Sequence, residues 1–420
     1  MAIVKRHILI VEDNTAIRDF VAYHISNELH LDTIAVSSMA EAMAIISSRK
    51  ADIFLAVLDL NLPDAPNGEI VDTVLAEGLP VIVLTGSVSK NMHDLMAAKL
   101  IIDYIVKKNR TEMRYLITLI DRIWKNKSTK AMVVDDSPET REYLKILLKL
   151  HHFRTYTAKS AEIGLQILEE NPDIKLIVTD YMMPGLNGDE FILKVREQYS
   201  REELAIISIS SSTENDLPAT LLKSGANDFM IRPFRNEEFF CRLGNNIDSV
   251  RNFASVRDAA IRDHLTGMYN RKYLFEAGTK LYDNAKRDNI TIASAMFDID
   301  HFKKINDTWG HHIGDLALKH VSRILEEQLR SSDMLVRMGG EEFCAIATNI
   351  NKETADMLFN RIREAIANTP LEVENATVNI TISIGVTFNL NDSLDNMINA
   401  ADAALYAAKE GGRNRVVFDE

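Results

Sequence analysis

Carboxylates that close short β-branched runs are the first residues of this chain able to do chemistry. Asp59 ends LAVLD and Asp180 ends LIVTD, while Glu12 and Asp13 follow HILIV and Asp135 and Asp136 follow MVV. Three carboxylates converging on one sheet edge repel each other unless a hard cation such as Mg2+ is shared, and a cation beside a carboxylate suits phosphoryl transfer. Asp59 and Asp180 could each attack a phosphoryl group and form an acyl phosphate. A hydroxyl, Thr85 or Ser210, and a cation, Lys107 or Arg232, would then take up the new oxygens and their charge. Capping a helix or closing a turn is the ordinary role of any one of these aspartates. The complete set occurring twice in the same order points beyond that role.

A second carboxylate group lies further along. ASAMFDID ends in Asp298 and Asp300, and Glu341 and Glu342 follow Gly339-Gly340 between two apolar runs. Glycine supplies the positive φ of a hairpin turn, so the pair predicts a β-hairpin with the two glutamates at its tip. Pairing with the neighbouring strand would bring Asp298 close to Glu341, a pair suited to two Mg2+ ions bridging a nucleotide's phosphates. Phe302 and Lys303 stand just past the strand, where backbone N–H groups and an ammonium can receive β- and γ-phosphates. Asn306 and Asp315 offer an amide and a carboxylate able to read a guanine edge, and Lys409 and Arg413 add positive charge at the end of the last helix. Each alone has a plainer role as a cap or helix-end charge; their joint occurrence is the signal.

The elements that must position these groups follow from an internal repeat over roughly the first 250 residues. HILIVEDN returns as AMVVDDSP, LAVLDLNLPDAPNG as LIVTDYMMPGLNG and DYIVKK as DFMIRP, and the same separation divides Thr85 from Lys107 and Ser210 from Arg232. Apolar strand runs alternate with amphipathic segments, which predicts two parallel, doubly wound α/β domains with ligands at the carboxyl ends of their strands. From Phe240 through Leu243, Ile247, Val250, Phe253 and Val256 the apolar spacing is helical. It fits either a core-facing helix ending near Ile247 or a dimer-forming extension that transmits a switch. After DHLTGMYNR the order becomes helix, strand, helix, strand, GG turn, strand, helix, strand VNITISIGVT, helix, strand NRVVF, an α+β pattern. The expected divisions are 1–126, 127–250 with a connector to about 260, and 261–420.

Composition narrows the function. A net charge of −13 over 420 residues argues against broad nucleic-acid binding. Cys241 and Cys344 lack metal or disulfide spacing. The N-terminus lacks a signal-peptide layout and no apolar run reaches membrane length, so the expected location is cytoplasmic, without membrane partners.

The first 250 residues resemble response-regulator receiver domains. The resemblance implies phosphorylation by a histidine kinase or phosphotransfer protein, with one Mg2+ per competent receiver. Lys108 stands where that family usually has proline, Arg232 where it has lysine, and Tyr104 and Phe229 at its switch aromatic. Arginine is not a neutral replacement for lysine, so Asp59 is the expected main acceptor and the second receiver an adaptor, with Asp180 still open. Residues 263–418 resemble the GGDEF diguanylate cyclases, here with GGEEF and a nucleotidyl-cyclase, palm-like fold. That resemblance implies metal binding by Asp298, the Ile299 carbonyl and Glu341 with Glu342 nearby, two Mg2+ per site, and catalytic roles for Glu341 and Lys303. It also implies phosphate binding by Phe302, Lys303, Lys409 and Arg413, and nucleotide contacts from Asn306, His311 and Asp315. The implied reaction joins two GTP into cyclic di-GMP across a homodimer. RSSD, from Arg330 to Asp333, matches the family's inhibitory product site, with Arg361 or Arg363 as its second arginine. The rival expectation is a non-catalytic response regulator that senses GTP or cyclic di-GMP.

Overall fold

The computed structural model describes residues 7–86, 99–211, 217–288, 290–373, 376–390 and 392–419. Residues 7–254 and 255–420 form two compact units. In the first unit two five-stranded parallel sheets reproduce the repeat. One contains β1 (His7–Val11), β2 (Thr33–Val36), β3 (Ile53–Asp59), β4 (Val81–Thr85) and β5 (Asp103–Val106) in the order β2-β1-β3-β4-β5. The other contains β6 (Lys130–Val134), β7 (Arg154–Ala158), β8 (Ile174–Asp180), β9 (Ala205–Ser210) and β10 (Asp228–Ile231) in the same order, β7-β6-β8-β9-β10.

Strands such as IFLAVLD are buried along their whole length because helices cover both faces. In the first sheet the helices Thr15–Glu28 and Arg110–Asn126 bury Val21, Ile25, Leu116 and Ile120 on one face. Helices Met39–Arg49 and Glu69–Ala76 bury Ile46, Ile70 and Val74 on the other. The strand order reverses between the central pair, β1 and β3, and the acidic residues sit at the carboxyl ends there, where doubly wound sheets take their ligands.

The two repeats meet along a seam with a buried centre. His151 stacks on Phe240 with ring centroids 3.6 Å apart and hydrogen-bonds the Ile102 backbone. Its carbonyl accepts from the Asn126 amide at 2.9 Å, and Asn126 Oδ1 accepts from Arg251 at 2.7 Å. Arg122 meets Asp248 at 2.7 Å nearby. Burial pushes the His151 imidazole down to about 3, so the ring is neutral at ordinary pH.

The connector stripe forms one helix, Asn236–Ile261, and so runs past Ile247. Its inward positions end at Val250, 4% exposed, and the next two apolar residues in the stripe emerge, Phe253 at 40% and Val256 at 69%.

The second unit is built on a six-stranded sheet. Its strands are β11 (Tyr269–Asn270), β12 (Ile292–Ile299), β13 (Met334–Gly339), β14 (Glu342–Thr348), β17 (Ile382–Thr387) and β18 (Val416–Phe418), in the order β11-β13-β14-β12-β17-β18. Strands β15 (Leu371–Val373) and β16 (Ala376–Val378) form a separate hairpin. Helices His311–Gln328 and Lys352–Ala367 cover one face through Leu318, Leu325, Phe359 and Ile362. Helices Arg271–Asp288 and Leu394–Glu410 cover the other through Leu274, Tyr282, Met397 and Leu405. VNITISIGVT is not the single strand its β-branched content suggests. Val378 pairs with Leu371 in the small hairpin, and only Ile382–Thr387 joins the main sheet.

Candidate functional site

In the first repeat the acidic residues converge. Glu12 and Asp59 are buried, at 0% and 3% exposure, and one oxygen from each of Glu12, Asp13 and Asp59 lies within 4.8 Å of the others. Lys107 follows β5 and spans the cluster, 2.7 Å from Asp59 Oδ2 and 3.0 Å from Glu12 Oε2. Burial and the neighbouring Asp59 push the Glu12 carboxyl up, with Lys107 opposing them. Burial works against the Lys107 charge, but its two carboxylate partners prevail and hold its pKa above the usual value. Thr85 ends β4, buried beside the same edge. These oxygens fit a hard divalent cation, since buried carboxylates this close need more positive charge than one ammonium supplies.

The second repeat uses the same positions differently. Asp135 and Asp180 are buried, and Arg232 spreads its fork between them, Nη2 at 2.7 Å from Asp135 and Nη1 at 3.6 Å from Asp180. Burial pushes Asp180 up to about 6; Arg232 opposes this, while Asp135 and Asp136 add to it. Ser210 ends β9, fully buried. Among the described residues, the first repeat's triad is the one group of three acidic side chains with an oxygen from each within 4.8 Å of the others.

One pair of residues escaped the reading of the sequence. Arg18 Nη1 donates to the Glu12 carbonyl at 2.9 Å and Arg141 Nη1 to the Asp135 carbonyl at 2.7 Å. Each arginine fixes the backbone of its acidic loop. Aligning NTAIRDF with SPETREY brings the two arginines into register, so the repeat carried the signal.

In the second unit the GG turn positions the carboxylates. Gly339 and Gly340 have φ of 143° and 54°, and β13 and β14 leave the turn antiparallel. Pairing of β12 with β14 sets Asp298 opposite Glu342, and the Ile299 amide donates to the Glu341 carbonyl at 3.4 Å. Asp298 thus lies within electrostatic reach of both glutamates. Burial pushes it up to about 6; Lys409, 2.8 Å away, opposes that shift and Glu341 and Glu342 reinforce it. Asp298 and the two glutamates form an acidic edge that attracts a cation, more open than the triad of the first repeat.

Asp300 belongs to the scaffold. It accepts from Ser383 Oγ at 2.6 Å, Thr381 Oγ1 at 2.7 Å and the Asn414 amide at 3.0 Å, which ties β12 to β17 and to the segment before β18.

Phe302 opens helix Phe302–Trp309 directly after β12, with its ring buried and Lys303 exposed beside it. Asn306 in that helix lies against Gly314 of the next. A Cβ on Gly314 would sit 1.9 Å from Asn306 Oδ1, so a side chain there would push the Asn306 amide aside. His311 and Asp315 are exposed one turn apart on helix His311–Gln328. Arg413 does not end the last helix, which stops at Glu410; it follows Gly411-Gly412 with φ of 63°. Lys409 is in that helix and is engaged by Asp298.

A further cavity of about 380 Å3 is lined by Arg330, Asp333 and Arg361 among others. Asp333 accepts from the Arg330 amide at 3.0 Å and the Thr348 amide at 3.2 Å, and Arg361 reaches the Gln328 carbonyl at 3.1 Å. Arg363 points elsewhere, to Glu364 at 2.9 Å and Asn414 at 3.2 Å. Geometry therefore groups Arg361 with RSSD. No helix among the described residues is long and apolar enough to cross a membrane.

Comparison with known proteins agrees with this layout. Residues 8–118 and 131–243 match the response regulator receiver domain, and residues 260–415 match the diguanylate cyclase GGDEF domain. Response regulator PleD of Caulobacter vibrioides is 29% identical over 281 residues, covering 61% of this chain and 62% of that protein. Diguanylate cyclase DgcP of Pseudomonas aeruginosa is 39% identical over 161 residues, 38% of this chain and 24% of that protein. A solved structure named as a probable two-component system response regulator/GGDEF domain protein superposes with a TM-score of 0.53 at 35% identity, over 59% of this chain and all of the other. The chain thus spans less than two thirds of the length of the two curated relatives.

Proposed function

Because the chain belongs to the response regulators, with two receiver domains ahead of a GGDEF domain, we propose that it is a diguanylate cyclase controlled by phosphorylation at Asp59. In this reading it converts two GTP into cyclic di-GMP and two pyrophosphates. The observation that carries it is the register of β12 on β14, which gathers Asp298, Glu341 and Glu342 on one edge.

Asp298, the Ile299 carbonyl and Glu341, with Glu342 nearby, would hold two Mg2+ ions, which supply neutralisation of nucleotide phosphate charge and acidify a bound hydroxyl. Glu341 takes the proton from the ribose 3′-hydroxyl of one GTP. The 3′-oxygen then bonds to the α-phosphorus of the GTP in a facing subunit as the bond to pyrophosphate breaks, and the second closure repeats this with the roles exchanged. Lys303 and the backbone N–H groups opening helix Phe302–Trp309 receive β- and γ-phosphates. Lys409 offsets the Asp298 charge, and Arg413 lies beyond the same helix end. Asn306, His311 and Asp315 read the base and sugar. Two half-sites must meet, so a homodimer is the active species, located in the cytoplasm.

A histidine kinase or phosphotransfer protein supplies the phosphoryl group to Asp59; Glu12, Asp13 and Asp59 would hold one Mg2+ to offset its charge, and Thr85 and Lys107 meet the product oxygens. The second receiver serves as an adaptor. Cyclic di-GMP feeds back at the cavity lined by Arg330, Asp333 and Arg361.

The test is incubation of the purified chain with GTP and Mg2+, with and without beryllofluoride, and detection of cyclic di-GMP by mass spectrometry. Glu341→Gln should lower turnover on the order of 100-fold or more. GTP or cyclic di-GMP binding without product, even with beryllofluoride, would establish the sensing alternative instead. Arg361→Ala should relieve inhibition by added cyclic di-GMP, and Arg363→Ala should leave it.

A further inference from the structure

The turn that carries Glu341 and Glu342 is a poor platform by itself. Both glycines stand at positive φ and neither has a neighbour within 4 Å of where a Cβ would lie, so backbone geometry, not crowding, calls for glycine here. The ladder also loses register between Arg337 and Gly339. Glycine-rich turns lose the most conformational entropy on ordering, and a catalytic carboxylate must be held within a fraction of an ångström. Something has to fix this turn.

Arg337 is the group in place to do so. It lies on β13 just before the turn, and all three of its guanidinium nitrogens donate. Nε and Nη2 donate to the Gly340 carbonyl at 3.1 and 2.8 Å, and Nη1 donates to Asp263 Oδ1 at 2.7 Å. Gly340 immediately precedes Glu341, whose own carbonyl accepts from Ile299. The peptide planes on both sides of Glu341 are therefore held, one by Arg337 and one by β12.

Asp263 is fixed in turn. The same Oδ1 accepts from Thr266 through its amide at 2.9 Å and hydroxyl at 2.8 Å. Burial disfavours its charge, but the bonds from Arg337 and Thr266 prevail and hold its carboxyl below the usual range. The Arg337–Asp263 pair is only 10% and 17% exposed, where a planar fork spanning two acceptors gains most over a point charge. Asp263 stands two residues past helix Asn236–Ile261. Asn270, paired with Arg337 across β11 and β13, also donates to the Ala260 carbonyl of that helix at 2.9 Å.

We propose that Arg337 is a positioning residue for the condensation: by holding the Gly340 carbonyl and the Asp263 carboxylate together, it keeps Glu341 beside Asp298 at the acidic edge of the sheet. The inference rests on the cyclase reading above. Arg337 touches no reacting atom, so its loss should act through metal use and turnover more than through GTP affinity.

The test uses the full chain with Arg337→Ala, Arg337→Lys and Asp263→Asn, each checked for folding by circular dichroism and thermal unfolding. Initial rates of cyclic di-GMP formation are measured against Mg2+ and GTP. Arg337→Ala should lower kcat roughly 10- to 100-fold and raise the half-saturating Mg2+ concentration, with KM for GTP moving less than about threefold and guanidinium ion restoring part of the rate. Arg337→Lys, which keeps the stem but lacks the fork, should fall between Arg337→Ala and the native chain. If Arg337→Ala does not fold, Arg337→Lys and Asp263→Asn carry the test by the same readouts. Folded variants with native kcat and Mg2+ dependence, or with a raised GTP KM alone, overturn the proposal. Should the native chain itself make no cyclic di-GMP, the cyclase reading fails. Manganese binding by electron paramagnetic resonance in the presence of GTP then decides Arg337 separately, and an affinity unchanged from native overturns it.

Discussion

The two receiver repeats share strand order, helix placement and the arginine that fixes the acidic loop, yet their chemical centres differ. In the first, Lys107 brings one ammonium to Asp59 and Glu12, and Asp13 completes a triad of close oxygens. In the second, Arg232 lays a planar cation across Asp135 and Asp180. A lysine leaves room and unbalanced negative charge for a divalent ion. An arginine carries the same single charge but lays its planar fork between the two carboxylates, in the space an ion would take. One side chain therefore separates a centre with three close carboxylate oxygens from one bridged by a guanidinium fork, while the fold stays the same.

That contrast can be broken most directly at the acceptors. Asp59→Asn should abolish phosphoryl labelling and the beryllofluoride response in cyclic di-GMP output, a loss on the order of 100-fold or more, while Asp180→Asn should leave both within about twofold. If Asp180→Asn removes the response, the ranking of the receivers is reversed. Exchanging the cations should have the next largest effect. Lys107→Arg should weaken beryllofluoride binding at the first receiver by roughly tenfold or more, and Arg232→Lys should create Mg2+-dependent binding at the second, both readable by calorimetry. Next comes the ion alone. Mg2+ should raise the unfolding temperature of the native chain, and Asp13→Asn should remove most of the first receiver's share of that gain, whereas Asp136→Asn should change it little.

The smallest effect concerns the seam that joins the two repeats. The His151 imidazole is pushed down to about 3 by burial, while an exposed histidine titrates near 6.5. A depressed histidine contributes stability that is complete above its unfolded pKa and declines as pH falls toward the folded value. Between about pH 6.5 and 3 this one group should cost up to about 1.4 kcal/mol per pH unit. Denaturant unfolding of the native chain and His151→Leu across that window checks the slope, which the variant should flatten. An identical slope in both would mean that His151 is not the group responsible.

The sequence displayed much of this arrangement because repeats and periodicity are local. Asp59 and Asp180 could be placed at strand ends from β-branched runs and Asp298 near the end of an apolar one, and Gly339-Gly340 announced its hairpin. The cavity arginine was not legible. Arg361 and Arg363 lie on the same helix, and which one joins Arg330 and Asp333 depends on how that helix turns against the sheet. The small hairpin inside VNITISIGVT escaped for a similar reason, since β-branched residues favour extended chain without saying which sheet receives it.

Composition and spacing by themselves determined that carboxylates would gather at sheet edges, because strand ends and turns are set by neighbours in the chain. Only the tertiary structure decided how their charge is balanced: by Lys107 in one place, by the fork of Arg232 in another, by Lys409 and the Arg337 clamp in the third. Those partners come from distant segments. Electrostatic energy depends on separations through space and on burial, neither of which is written in the order of the residues.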